Sequence, residues 1–281
     1  MGITEILNIE ANFKKASALL NEGNQLAAIQ IYKKLLTYKE AKRNATLKLA
    51  DIYDQSGNTK SAIELFTIYL DSHKDDSEIV KLVSYYLVRN SLFEDAAKFI
   101  AKFDGVHDEN MNFLKGVVKY HINELESSIT IFLKFLKDYK TSELIPSVLF
   151  YLSKIYLKNS QYDDALEAIK KSIEFAPNNA ETYKIESEIY FKKDMYYHAN
   201  ESIRRALQLN PSVIAWRHFQ IKILVLLDEI KKAEEKLSNA IDDSESSAEI
   251  LHLIGEWHLK NKDIPIANEY FEKAKGINTK V

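Results

Sequence analysis

A small residue recurs along this chain at a nearly fixed interval. It opens the second of two amphipathic runs at Ala28, Ala62, Ala96, Ser128, Ala165, Ala199, Ala233 and Ala267. The interval is 34 residues except on either side of Ser128, where it is 32 and 37. Twelve residues before each landmark lies a second column: Ala16, Ala50, Ser84, Gly116, Ser153, Ser187, Ile221 and Gly255, small in seven of eight cases. Four residues after each landmark a large apolar residue follows: Tyr32, Phe66, Ile100, Phe132, Ile169, Ile203, Leu237 and Phe271. A period of this length marks a repeat architecture, in which one supersecondary unit buries its apolar face against the next copy.

The columns have a simple packing explanation. Small residues let two helix backbones approach closely, and a large residue one turn on fills the adjoining groove. Each unit therefore reads as a helix A, a tight turn and a helix B. The turn carries Gly23, Gly57, Ser91, Asn123, Ser160, Asp194 and Asp228, and the two glycines suit the left-handed conformation that ends a helix. Pro177 and Pro211 stand where helix B of two units should stop. Only 7 Gly and 4 Pro among 281 residues, with abundant Leu, Ile, Ala, Lys and Glu, point to an all-α chain.

At this level of detail the sequence resembles the tetratricopeptide repeat (TPR) family. The best unit is 146–179, where Leu149, Leu152, Ser153, Tyr156, Ala165, Ile169, Ser172 and Pro177 fall at the family's spacing. Tyr183, Ser187, Tyr190, Ala199, Ile203, Ala206 and Pro211 repeat it in 180–213. The resemblance implies a right-handed solenoid of about eight antiparallel helix pairs. Its approximate units are 9–42, 43–76, 77–108, 109–145, 146–179, 180–213, 214–247 and 248–281, after a leader or short cap over 1–8.

Departures from the pattern are informative. The site seven residues after the landmark is large in the first four units (Leu35, Tyr69, Phe103, Phe135) and small in the last four (Ser172, Ala206, Ala240, Ala274). Large residues hold neighbouring helices further apart, so the two halves should curve differently, with irregular junctions around 104–145. Glu186 and Gln220 occupy normally apolar sites. Trp216 suggests a shift of helix A in the seventh unit, which would bury both Val225 and Leu226. At the end of the chain Phe271, Ala274 and Ile277 are expected to form an exposed apolar edge, a surface for self-association through an uncapped last repeat.

Several chemistries are excluded or unsupported. With no cysteine, thiolate catalysis, disulfides and Cys-ligated metals are ruled out. A net charge of −3 argues against a general nucleic-acid binder. His252 and Glu256 are four apart on one helix face but lack a third ligand, so no metal is expected. No phosphate loop, nucleophile elbow or catalytic triad pattern appears, so no cofactor, no catalytic residue and no enzymatic activity are expected. Glu5, Glu10, Lys14 and Lys15 interrupt any signal-peptide core, and no run of about 18 apolar residues exists to span a membrane. A cytoplasmic location is the expectation.

The resemblance implies a scaffold or adaptor that holds a protein or peptide on the concave face lined by the A helices, for assembly of a multiprotein complex. The family's carboxylate clamp for chaperone tails finds no match. The corresponding sites are Phe13, Ser17, Lys48, Glu78 and Leu82, or Phe150, Lys154, Ile185, Ala215 and Phe219. The candidate groove is instead the floor of the fifth and sixth units: Phe150, Lys154, Leu157, Lys158, Lys184, Glu188, Phe191 and Lys192. Aromatic and aliphatic anchors beside long cations suit an acidic, amphipathic peptide. Ordinary inter-repeat packing with solvated lysines accounts for the same pattern equally well. Two other functional readings stand beside the scaffold: a regulatory or substrate-recruiting segment of a larger enzyme, and a nucleic-acid-binding helical repeat.

Overall fold

In a computed structural model the eight landmark residues, Ala28 through Ala267, are all at 0% exposure. The structure describes residues 3–237, 240 and 245–278. Among these, sixteen α-helices and no strands are present. They form eight consecutive hairpins: α1 (Ile3–Asn21) with α2 (Gln25–Leu35), α3 (Lys39–Gln55) with α4 (Thr59–Leu70), α5 (Ser77–Arg89) with α6 (Phe93–Lys102), and α7 (Glu109–His121) with α8 (Leu125–Asp138). The remaining pairs are α9 (Ile145–Lys158) with α10 (Tyr162–Phe175), α11 (Ala180–Lys192) with α12 (Tyr196–Leu209), α13 (Ile214–Leu226) with α14 (Ile230–Leu237), and α15 (Glu245–Lys260) with α16 (Ile264–Asn278).

All eight hairpin turns use one device. The second residue after helix A has positive φ: Gly23 and Gly57 at +78° and +77°, then Ser91, Asn123, Ser160, Asp194, Asp228 and Lys262 between +56° and +67°. Around each, paired backbone hydrogen bonds close the helix end. Asn24 N–H reaches Leu19 O at 2.8 Å and Gly23 N–H reaches Leu20 O at 3.0 Å; in the last hairpin Asp263 N–H reaches His258 O at 2.9 Å and Lys262 N–H reaches Leu259 O at 3.1 Å. This pairing satisfies carbonyls that the end of helix A would otherwise orphan.

The second column explains itself in the same way. Ala16, Ala50, Ser84, Ser153 and Ser187 are fully buried, and the serines find backbone partners. Ser187 Oγ donates to Ala199 O at 2.6 Å, and Ser128 Oγ of the landmark column donates to Gly116 O at 2.8 Å. These bonds bridge helix A to helix B where their backbones are closest. At Gly255 it is a side chain that comes close: a Cβ there would lie 2.6 Å from Cε1 of Phe271, so the ring occupies the space a side chain would take.

The chain divides into two compact units, 1–131 and 132–281, at a point inside α8. In the first, Tyr32, Leu35 and Leu49 fill the space among α1, α2 and α3, and Phe66, Val80, Val83 and Ile100 fill that among α4, α5 and α6. In the second, Ile169, Ile185 and Ile189 pack among α9–α11, Ile203, Trp216 and Ile223 among α11–α13, and Leu224, Leu251 and Ile254 among α13–α15. The site seven after the landmark is buried throughout, as Leu35, Tyr69, Phe103 and Phe135 in the first four hairpins and Ser172, Ala206, Ala240 and Ala274 in the others. Residues 103–108 and 139–144 connect α6 to α7 and α8 to α9.

Residues 3–8 form the first turns of α1. The structure departs from the sequence reading at two places. Val225 is buried against Leu224 and Ile230, whereas Leu226, the last residue of α13, remains 43% exposed. A rotation of the helix tucks in one of the two, because adjacent helical residues point about 100° apart. Ala274 and Ile277 are buried and Phe271 is half-buried, because α16 turns this i, i+3, i+6 face onto α15. The large apolar side chains that this hairpin exposes are Leu259, Ile264 and Ile266, at its turn.

Candidate partner-binding surface

The candidate groove residues lie on two A helices of the second unit, α9 and α11. Packing of α9 against α10 and α11 buries Val148, Leu152 and Ile155 and leaves Phe150, Lys154 and Leu157 half-buried. Phe150 and Leu157 join the apolar cluster around Ile169 and Ile185. Lys154 rises beside them, with Nζ 5.3 Å from the ring centre of Phe150 and 5.8 Å from that of Tyr151. Burial, and next the nearby Lys184, push the Lys154 ammonium below its usual range, against the opposing pull of Glu181 and Glu188. Removing an ammonium from water and placing another cation close by both disfavour its charge.

On α11, Lys184 Nζ lies 2.8 Å from Glu188 Oε1, a half-buried pair one turn apart. Phe191 continues the row towards α13. Its ring centre lies 5.2 Å from that of Phe219 and 5.6 Å from that of Tyr196, and Lys222 Nζ stands 5.6 Å above it. Three A helices thus each contribute an aromatic ring and a lysine: Phe150 with Lys154, Phe191 with Lys184, Phe219 with Lys222. Lys158 and Lys192 are exposed in the last turns of α9 and α11, where they complement the helix dipole. Tyr151 and Lys222 adjoin these residues without having been singled out. Their signal was available: Lys222 follows Phe219 by three residues, and Tyr151 precedes Lys154 by three, the spacing of one helix face.

Polar residues at apolar repeat sites are satisfied internally. Ser202 Oγ donates to Glu186 Oε2 at 2.7 Å, and buried Gln220 donates from Nε2 to Asn200 Oδ1 at 3.3 Å. In the first unit, Glu78 accepts from Arg43 at a position where a carboxylate clamp needs cationic or amide groups. His252 Nε2 and Glu256 Oε1 are 3.4 Å apart and both exposed. His258 is buried instead, with Nε2 2.8 Å from Glu234 Oε1 and its ring stacked on Tyr270. Burial, and the bond that its hydroxyl donates to Glu234, push Tyr270 up to about 12. Among the described residues no three His, Asp or Glu side chains converge as a metal ion would need, and no helix is long and apolar enough to cross a membrane.

Tetratricopeptide repeat family models match residues 19–84 and residues 146–179. These two segments are tetratricopeptide repeats. The second match has the same limits as the best unit seen in the sequence. Solved structures agree on the fold. A tetratricopeptide repeat protein from Parabacteroides merdae superposes with a TM-score of 0.63 at 15% identity, covering 88% of this chain and 98% of its own. The C-terminal part of a TPR repeat-containing protein from Cytophaga hutchinsonii gives 0.65 at 14% identity, covering 83% and 95%. MamA gives 0.53 at 24% identity, covering 59% of this chain and 95% of its own. No curated protein matches the sequence. The fold class is therefore an all-α helical-repeat solenoid built from TPR hairpins.

Proposed function

We propose that this TPR protein is a non-catalytic scaffold or adaptor that binds an acidic, aromatic- or leucine-bearing segment of a protein partner across α9, α11 and α13. The observation that carries this reading is Lys154. It is a half-buried ammonium over the rings of Phe150 and Tyr151, with its charge disfavoured by burial and by Lys184. An incoming carboxylate would relieve that repulsion, and apolar side chains of the same segment would cover Phe150, Phe191 and Phe219. Lysines spaced along three helices fix the register of such a segment more than its affinity. The role fits assembly of a multiprotein complex in the cytoplasm.

A peptide library displayed against the whole chain tests this. Acidic sequences with aromatic or leucine anchors are the expected selection. The Lys154→Glu variant should weaken a selected peptide by about tenfold or more, equivalent to at least ~1.4 kcal/mol. Selection of basic or charge-free peptides, or binding that Lys154→Glu leaves unchanged, overturns the assignment.

A further inference from the structure

Exposed apolar side chains occupy three successive hairpin turns of the second unit. Met195 and Tyr197 stand at the start of α12, Leu226 at the end of α13, Leu259 near the end of α15, and Ile264 and Ile266 in the first turn of α16, all between 36% and 67% exposed. Contacts between neighbouring turns place them along one edge. Phe191, Tyr196 and Leu227 pack on one apolar cluster, which joins the α11–α12 turn to the α13–α14 turn. Trp257 Nε1 donates to Asp228 Oδ1 at 2.7 Å, which joins the α13–α14 turn to the end of α15. Pro265 lies between Ile264 and Ile266, where the first turn of a helix accepts proline and its ring stiffens the backbone that carries them. The first unit has no such succession. Leu26 and Leu92 are exposed at its first and third turns, and the second turn between them carries Asn58, Thr59 and Lys60.

Lysines stand beside these apolar side chains. Lys192, Lys231, Lys260 and Lys262 are exposed at the same three turns, and their ammonium groups pair with no carboxylate among the described residues. The neighbouring carboxylates are engaged within the protein. Asp194 accepts from the Tyr196 hydroxyl at 2.7 Å, Asp228 accepts from Trp257, Glu229 lies 2.8 Å from Lys232, and Asp263 lies 3.6 Å from the ring of His258. We propose that this edge rests on the surface of an anionic lipid bilayer. The apolar side chains enter the interfacial layer, and the four lysines meet lipid phosphates. A bilayer surface is broad enough to meet all three turns at once and supplies both components, apolar chains beneath a layer of negative charge. A second copy apposed edge to edge would instead bring these lysines against their own equivalents, a like-charge contact that costs affinity. The edge includes neither Lys154 nor Phe150 nor Phe219, so it stands or falls separately from the peptide surface.

The test is flotation of the whole chain with vesicles of phosphatidylcholine alone and with vesicles containing phosphatidylglycerol. Binding is expected to the second and to fall as salt is raised, because the lysine attraction is screened. The double variant Ile264→Ser with Ile266→Ser, and separately Lys231→Gln with Lys260→Gln, should each weaken it by about tenfold. Leu92→Ser, an equally exposed leucine of the first unit, should leave it unchanged. All these positions are exposed, and circular dichroism checks that each variant is folded. Hydrogen exchange on the anionic vesicles should slow at residues 193–197, 227–231 and 259–266. Absence of binding to anionic vesicles overturns the proposal, as does equal weakening by Leu92→Ser and the isoleucine pair. Light scattering of the chain without lipid covers the rival occupant: a dimer that the isoleucine pair abolishes would assign the edge to a second copy and overturn the bilayer reading.

Discussion

The most instructive residues are the six that hold positive φ without being glycine. In a left-handed conformation an L-residue carries a cost of roughly 1–2 kcal/mol, because its Cβ crowds the following carbonyl. Asn123, Asp194 and Asp228 offset part of this, as short polar side chains tolerate the region better. Lys262, at φ +67°, has no such compensation. Lys262→Gly should therefore stabilise the protein by about 1 kcal/mol, read as a higher urea midpoint at unchanged slope. A lower midpoint would mean that the lysine side chain makes contacts worth more than its backbone cost. The repeat spacing placed Gly23, Gly57, Ser91, Asn123, Ser160, Asp194 and Asp228 in this turn, but only the two glycines signalled its left-handed conformation. Lys262 was not among them; its place in the repeat identifies it, because composition alone allows it any conformation.

At the scale of elements, Asp76 shows how one side chain joins three helices. It caps α5 through Ile79 N–H at 3.2 Å, accepts from Arg43 of α3 at 2.7 Å and accepts from the Tyr69 hydroxyl of α4 at 3.1 Å. Burial alone would raise its pKa; the bonds from Arg43, the Ile79 N–H and Tyr69 outweigh this and hold the carboxyl below the usual carboxylate value. A carboxyl with a depressed folded pKa adds stability above its unfolded pKa and loses it as pH falls through the folded one. Asp76→Asn should thus cost about 1–2 kcal/mol at neutral pH. Its deficit should shrink steadily as the pH drops below about 4, where the parent loses the same contribution. A deficit that stays constant down to acid pH would assign Asp76 a purely neutral capping role. None of this was visible in the spacing, which does not by itself bring Arg43, Tyr69 and Asp76 together. The aromatic–lysine surface was half visible. The periodicity put Phe150, Lys154, Lys184 and Phe191 on A helices, but which lysines stand over rings depends on side-chain packing. That packing sets Lys154 against Phe150 and Lys222 against Phe191.

For the molecule as a whole, what matters is that substantial helix contacts join elements one or two apart in the chain. Stability in such an array is a sum of hairpin terms and nearest-neighbour interfaces, so damage should remain local. Ile203 gives a clean lesion: it is fully buried with Tyr190, Ala199, Ala206, Trp216 and Ile223. Ile203→Ala removes three heavy atoms from that cluster and should cost about 2–5 kcal/mol locally. Hydrogen exchange read by mass spectrometry should show protection falling across α11–α14 and unchanged in α1–α4. Equal loss of protection in α1–α4 would mean that the whole chain opens as one cooperative body, and that the energetics do not follow the repeat. Local failure has a functional corollary, because the proposed peptide surface draws residues from α11 and α13. The Ile203→Ala protein should therefore bind a selected peptide more weakly while the first unit keeps its native exchange pattern, a combination of local unfolding and lost binding that Lys154→Glu cannot produce.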